Sequence, residues 1–287
     1  MANWLTRIAK LMRGDPVRGG GARDRRPHYF YLGESLAMAR LRNGHLIYVD
    51  PLEESVCSHL IAHGDWEPWI YGVVMEIVRP GDKVVEVGGH VGFYTLGLAH
   101  KVGASGSVLT FEANPRLASL AARSVRFNGY AGRAKIVQKA VSDTSGVIRF
   151  TLSRQFGGGG HLYTGRPALG ADAEVVDVEA VRLDDLDLGT VRLLRIDAEG
   201  SEALILAGAA RLLEQPDIIV CMEWELIQMR SRSDPAALVS SLSERGFQFW
   251  RITTAGGLEW VEPEAMTSLA ACDVLVARQR PTGAATA

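Results

Sequence analysis

Residues 84–92 read Val84-Val85-Glu86-Val87-Gly88-Gly89-His90-Val91-Gly92. An apolar strand over 83–87 ends in a carboxylate, turns on glycines and opens a helical pattern over 91–100. The dinucleotide fingerprint G-x-G-x-x-G, started at Gly88, needs glycine where this chain has His90 and Phe93. The acidic-x-Gly-x-Gly-x-Gly turn used for S-adenosylmethionine fits better: Gly88 and Gly92 match, and His90 holds the middle place. Glycines let the backbone approach a ligand closely. A helix N-terminus offers N–H groups to a carboxylate. Glu86 is suited to accept a hydrogen bond or hold a water near an ammonium group.

Working outward, residues 107–111 form a second strand that runs into Glu112, 20 residues after Gly92. A carboxylate there can take both ribose hydroxyls, or simply favour the N-terminus of the next helix. Asn114 as N-cap and Pro115 at the first helical position open that helix, which runs to about residue 128. Residues 135–141 read as a third strand. Alternation then breaks. Residues 147–152 and 174–183 are strands with no helix between them, and Gly157–Gly160 followed by His161 suggest a β-hairpin insertion with a mobile glycine tip. It resumes with a strand (191–196), a helix (201–213), a strand (218–223) and a helix (235–245), then late strands at 247–252 and 273–276. Strands alternating with helices predict an α/β protein with a doubly wound, parallel sheet.

Residues 86–95, Phe111-Glu112-Ala113-Asn114-Pro115, Lys139-Ala140-Val141-Ser142-Asp143, Arg195-Ile196-Asp197-Ala198-Glu199-Gly200-Ser201-Glu202 and Glu223-Trp224-Glu225 occur in the order seen in FkbM-type methyltransferases. The chain resembles that family over residues 45–255. The resemblance implies a class I methyltransferase (Rossmann-like) fold: a mostly parallel seven-stranded sheet with helices on both faces. It implies S-adenosyl-L-methionine as cofactor and O-methylation of a hydroxyl on a saccharide, glycolipid or polyketide-type product. Carried over, Glu86, Gly88, Gly89, His90, Gly92 and Thr95 belong to the cofactor turn, Glu112 and Ala113 to the ribose side, and Val141 and Ser142 to the adenine border. Asp197 stands beside the reactive end. The family usually has Asp at the strand end and Ala-Asn in the turn, where this chain has Glu86 and Gly89-His90; the absent side chain at Gly89 leaves room for the longer acid.

Catalytic candidates are Asp197, Glu199 and His161. Asp197 and Glu199 either complement the helix that follows them or orient cofactor and acceptor. His161, with an ordinary pKa near 6.5, suits proton removal from a hydroxyl, or is a surface-loop histidine. Glu223 and Glu225 share a strand face; with Asp197 and Glu199 they could hold Mg²⁺ through oxygen or bind sugar hydroxyls, and no metal is expected.

The chain has 287 residues, 47% hydrophobic and 22% charged, with a net charge of −2. That fits one large α/β core and no nucleic-acid partner. Cys57, Cys221 and Cys272 form no CxxC pair, which argues against cysteine-framed metal sites and for a reducing, cytoplasmic setting. No 18-residue apolar run and no apolar leader core occur. The expected organisation is a basic N-terminal helix and linker (1–26), a cap region (27–79) and the methyltransferase domain (80–287). The first segment carries seven basic and two acidic residues, with Trp4, Leu5, Ile8, Leu11 and Met12 at helical spacing. It reads as a solvated or subunit-packing helix, or as one making weak peripheral contact with an anionic membrane face. In the cap, 46–49 is a strand and 53–63 a helix. Trp66, Trp69 and Tyr71 form an aromatic cap on the core, or a wall over the site with Glu67 facing in. The expected partner is a small-molecule or glycan acceptor, and a homo-oligomer is compatible. An NAD-dependent oxidoreductase and a methyltransferase fold kept for binding without turnover are the competing classes.

Overall fold

The computed structural model describes residues 29–165 and 171–281. The basic segment expected over 1–26 lies outside these residues, as do residues 166–170 of the insertion. Among the described residues no helix is long and apolar enough to cross a membrane.

The central sheet is built from β4 (Lys83–Val87), β5 (Ser107–Phe111), β6 (Ala134–Val137), β11 (Leu193–Ile196), β12 (Ile219–Trp224), β13 (Gln248–Ile252), β14 (Leu258–Val261) and β15 (Cys272–Ala277). Their order is β14-β13-β15-β12-β11-β4-β5-β6. β12, β11, β4, β5 and β6 pair in parallel. β15 is antiparallel to both β12 and β13, so β13 runs with the parallel five. Among the described residues the sheet therefore has eight strands rather than the seven expected. After β13 the chain turns at once, with Thr253 and Gly257 bonded to each other, and β14 returns as an antiparallel hairpin partner at the edge.

Helices cover both faces because strand residues alternate between them. Val84, Val108, Leu193 and Ile219 share one core with α2 (Pro68–Ile77), α3 (Phe93–Lys101) and α4 (Pro115–Phe127). Val85, Leu194, Val220 and Met222 face the other way, against α5 (Glu202–Ala207) and α7 (Pro235–Glu244), which follows the short α6 (Leu226–Met229). Asn114 caps α4 as expected, its side chain accepting from the N–H groups of Arg116 (3.0 Å) and Leu117 (3.4 Å).

The region before the sheet holds more structure than its pattern announces. β1 (Tyr29–Gly33), β2 (Leu36–Arg40) and β3 (Leu46–Val49) form an antiparallel sheet whose third strand lies on α4. Helix α1 (Val56–His63) begins three residues later than predicted. Trp66, Trp69 and Tyr71 pack against the first core.

The insertion is a second sheet, β7-β10-β8-β9, comprising β7 (Ala140–Val141), β8 (Gly146–Leu152), β9 (His161–Leu162) and β10 (Glu174–Val181). β8 and β10 form the expected antiparallel pair. The third strand expected over 135–141 is instead two strands in two sheets, because the chain leaves the central sheet after Val137 and β7 pairs with β10. The glycine run is a docked turn. Gly157 donates its N–H to Glu53 Oε1 (3.2 Å) and Gly158 to Ser55 Oγ (3.1 Å).

Candidate functional site

From β4 the chain proceeds outward through β5 to β6, and from β11 outward in the opposite direction to β12. The carboxyl ends of β4 and β11 therefore flank a topological switch point, where open α/β sheets bind ligands. A cavity of about 290 Å³ lies there. Of the residues singled out from sequence, Glu86, Gly88, Gly89, His90, Glu112, Ala113, Val141, Ser142, Asp197 and Glu199 line it. Gly92, Thr95 and His161 do not. Gly92 is the left-handed N-cap of α3 (φ 92°). Thr95 lies beneath Glu86, and His161 Nδ1 sits 2.8 Å from the Gly159 carbonyl. Trp66 and Glu67 also line the cavity, so the aromatic segment is both core cap and wall.

The glycine turn is held from inside. Gly88 and Gly89 donate N–H bonds to the Phe111 carbonyl (2.9 and 3.1 Å), and His90 donates its N–H to Glu112 Oε2 (2.7 Å). Glu112 Oε1 accepts from the Asn114 N–H (2.8 Å). One carboxylate thus spans the turn after β4 and the cap of α4. Burial raises its pKa, and the neighbouring His90 with the two N–H donors pulls it back only partly.

Beneath the turn runs a polar row across four strands: Thr110, Glu86, Arg195 and Cys221 are direct cross-strand neighbours and all are buried. Glu86 Oε2 accepts from Thr95 Oγ1 (2.5 Å) and Thr110 Oγ1 (2.9 Å), while Oε1 lies 3.7 Å from Arg195. The room that Gly89 was expected to give Glu86 is filled by threonine: a Cβ at Gly89 would lie 2.2 Å from Thr110 Cγ2. The extra methylene of Glu86 is accommodated by these hydroxyls. Burial raises the Glu86 pKa against the opposing pull of Arg195 and both threonines.

Arg195 is the main residue that the sequence reading passed over. Its guanidinium donates to Asp197 Oδ2 (2.9 Å), faces Glu86 and lies 3.7 Å over the Tyr94 ring. The available signal was a base inside an otherwise apolar strand. Tyr94 and Glu53 were also missed; both are buried.

Asp197 and Glu199 leave the end of β11 on a strained turn. Glu199 (φ 51°) and Gly200 (φ 92°) are left-handed. Glu202 Oε1 accepts from the N–H groups of Ala198 (3.2 Å) and Gly200 (3.3 Å), and Gln228 holds the Glu199 carboxylate (2.8 Å). Carboxylate oxygens of Asp197, Glu199 and Glu223 lie within 4.8 Å of one another. Glu225, the fourth acid of that predicted group, instead caps α6 by accepting from the Ile227 N–H (3.0 Å).

Burial lifts the Glu202 carboxyl to about 7, against the pull of those N–H donors, from an ordinary 4.5. The raised value means that the fold favours the protonated acid. That favour is complete below about pH 4.5 and is lost as pH rises through about 7. Glu202→Gln keeps an acceptor oxygen and cannot ionise. Urea unfolding should find it more stable than the parent at pH 8, by up to roughly 3 kcal/mol, with the difference closing towards pH 4.5. An equal difference at both pH values would exclude Glu202 as the titrating group.

The family model described as "Methyltransferase FkbM domain" matches residues 86–249, more than half of the chain. No curated protein matches. Among solved structures, the methyltransferase FkbM from Methylobacillus flagellatus KT is 16% identical over 68% of this chain, with a TM-score of 0.42. The match spans 43% of that chain, less than half its length. A SAM-dependent O-methyltransferase from Thermotoga maritima is 14% identical, covering 83% of this chain and 76% of that one, with a TM-score of 0.41. The O-methyltransferase from Bacillus cereus, solved in complex with SAH, is 13% identical over 77% and 84%, also at 0.41.

Proposed function

Because this chain belongs to the FkbM methyltransferase family, we propose that the switch-point cavity binds S-adenosyl-L-methionine and that the chain transfers its methyl group to an acceptor hydroxyl. One observation carries the reading. The Glu112 carboxylate, the Gly88–Gly89–His90 backbone and the carboxylate of Asp197 converge on a single cavity.

In this arrangement Glu112 takes the ribose hydroxyls as donors, since each of its oxygens has a lone pair beyond the one its N–H partner uses. Ala113, Val141 and Ser142 border the adenine. Gly88 and Gly89 bring backbone close to the methionine portion. The sulfonium is already activated, so the protein's work is alignment and exclusion of water. The acceptor oxygen attacks the methyl carbon in line as the carbon–sulfur bond breaks, and S-adenosylhomocysteine leaves. The hydroxyl proton passes late to Asp197, at the β11 end of the cavity. One Asp197 oxygen is committed to Arg195, and a carboxylate suffices because the acceptor oxygen grows acidic as it is methylated. His161 lies outside the cavity lining and takes no part in this step. The acceptor class we favour is a saccharide or polyketide-type hydroxyl.

Calorimetric titration with S-adenosylmethionine tests the reading, with NAD⁺ alongside. Hydrogen bonds to a charged group are worth roughly 1.5–3 kcal/mol each. Glu112→Gln, which keeps one acceptor oxygen for the turn, is therefore expected to weaken binding by at least about tenfold. Binding of NAD⁺ in place of S-adenosylmethionine would sink the proposal.

A further inference from the structure

His90 has both ring nitrogens buried and without a hydrogen-bond partner. An imidazole in that state is unusual, because buried polar groups nearly always find a partner, a water or an ion. Two potential ligands lie beside it. Its Nε2 is 3.9 Å from Glu53 Oε2. The ligand atoms of Glu53, Cys57 and His90 all lie within 4.8 Å of one another. Glu53 and Cys57 are buried, 1% and 0% exposed, which sets them apart from the acidic groups common on protein surfaces.

The supports of this trio resemble those of a ligand set. Glu53 Oε1 is fixed by the N–H groups of Ser55 (2.8 Å) and Gly157 (3.2 Å) and by the Ser55 hydroxyl. Oε2 takes the Cys57 N–H (2.5 Å) and is turned towards His90. Such outer contacts orient a metal ligand and set its basicity. The glycine run closes over the trio: a Cβ on Gly157 would lie 3.3 Å from His90 Nε2 and 3.2 Å from Glu53 Cγ.

We propose that Glu53, Cys57 and His90 form a zinc site joining the start of α1 to the cofactor turn. A thiolate, an imidazole and a carboxylate suit borderline-soft Zn²⁺, whereas Mg²⁺ and Ca²⁺ prefer oxygen throughout. Tetrahedral bonds of about 2.0–2.3 Å set ligand atoms roughly 3.3–3.7 Å apart. Binding would therefore draw the three ligand atoms together from a separation of up to 4.8 Å. His90, Ser55 and Gly157 line the cavity, so the trio adjoins it on the His90 side. The site is distinct from the Asp197, Glu199 and Glu223 carboxylates and does not depend on methyl transfer being the reaction.

The full chain is loaded with Zn²⁺, gel-filtered and assayed for metal, then reloaded with Co²⁺ and read for the thiolate-to-cobalt charge-transfer band. One equivalent of zinc and a thiolate band are expected. Cys57→Ala should abolish the band and weaken zinc binding by more than about 100-fold, the upper range for loss of a mere supporting contact. Cys221→Ala, at the other buried thiol, should retain both. Circular dichroism confirms that each variant is folded. If Cys57→Ala does not fold, His90→Ala serves the same purpose through zinc stoichiometry. Absence of zinc uptake overturns the proposal. So does a metal that binds without a thiolate band and is lost in Asp197→Asn, which would place it at the carboxylate cluster.

Discussion

Arg195→Met is expected to lower folding stability by about 3–5 kcal/mol, the usual result of removing one partner from a buried ion pair. Arg195 is 4% exposed and is the cation between Glu86 and Asp197. Burial by itself would lower its pKa; Asp197, Tyr94 and Glu86 outweigh that and raise it, so it stays charged. Without it, Glu86 is a wholly buried acid facing only two threonine hydroxyls, and its pKa, already raised, must rise further. Two consequences follow. The variant loses stability most steeply as pH rises above the ordinary carboxylate range. Adding Glu86→Gln should restore part of the loss, because a neutral amide can keep the threonine contacts. Urea unfolding of the four members of the double-mutant cycle measures this coupling. A loss below about 1 kcal/mol, the size of an exposed pair, would show that the row is not closed to water.

Gly88→Ala is expected to be nearly as damaging, for a steric reason. A Cβ at Gly88 would lie 1.8 Å from the Asp197 carbonyl oxygen and 2.9 Å from its carbon. Those are backbone atoms of the neighbouring strand end, tied by the Asp197 N–H to the Val87 carbonyl (2.9 Å). Gly88 also has φ 83°. Left-handed backbone costs a residue with a Cβ roughly 1–2 kcal/mol, and overpacking costs typically 1–3 kcal/mol. A destabilisation of about 2–5 kcal/mol should appear in thermal or urea unfolding, with the turn displaced from Asp197 and cofactor affinity lost in the molecules that remain folded. A variant with unchanged melting and unchanged cofactor binding would show that β4 and β11 can separate at this end.

The alternation of strands and helices was legible because each element carries its own period and its own punctuation. Asn114-Pro115 and the glycine turn at 88–92 are local signals, and the structure places both at helix starts. Glu112 was legible because it terminates an apolar strand, and Asp197 through the family resemblance that sets it at a strand end. Arg195 carries no legible role in the sequence, since its meaning depends on register: only pairing β11 with β4 sets it opposite Glu86. Gly157–Gly160 suggest a mobile tip from composition, yet Gly157 and Gly158 bond to Glu53 and Ser55, about a hundred residues away. β1 escaped notice because Tyr29, Phe30, Tyr31 and Leu32 are all exposed and show no alternation. The division of 135–141 between two sheets likewise depends on a partner, β10, that lies far along the chain.

Among the described residues, five other than glycine adopt left-handed backbone, and three of them, Glu67, His90 and Glu199, line the cavity. Each such residue stores roughly 1–3 kcal/mol. For protein engineering this makes the lining of the cavity the softest target among the described residues. Consensus or computational schemes that harden a scaffold by relieving unfavourable torsions would select these three positions early, placing glycine or asparagine there and raising the melting temperature. The gain would come at the expense of the pocket's own side chains. A thermostabilisation campaign on this scaffold should therefore freeze Glu67, His90 and Glu199 and seek its gains at Glu34 and Ser35, the other two left-handed residues, which lie in the β1–β2 turn.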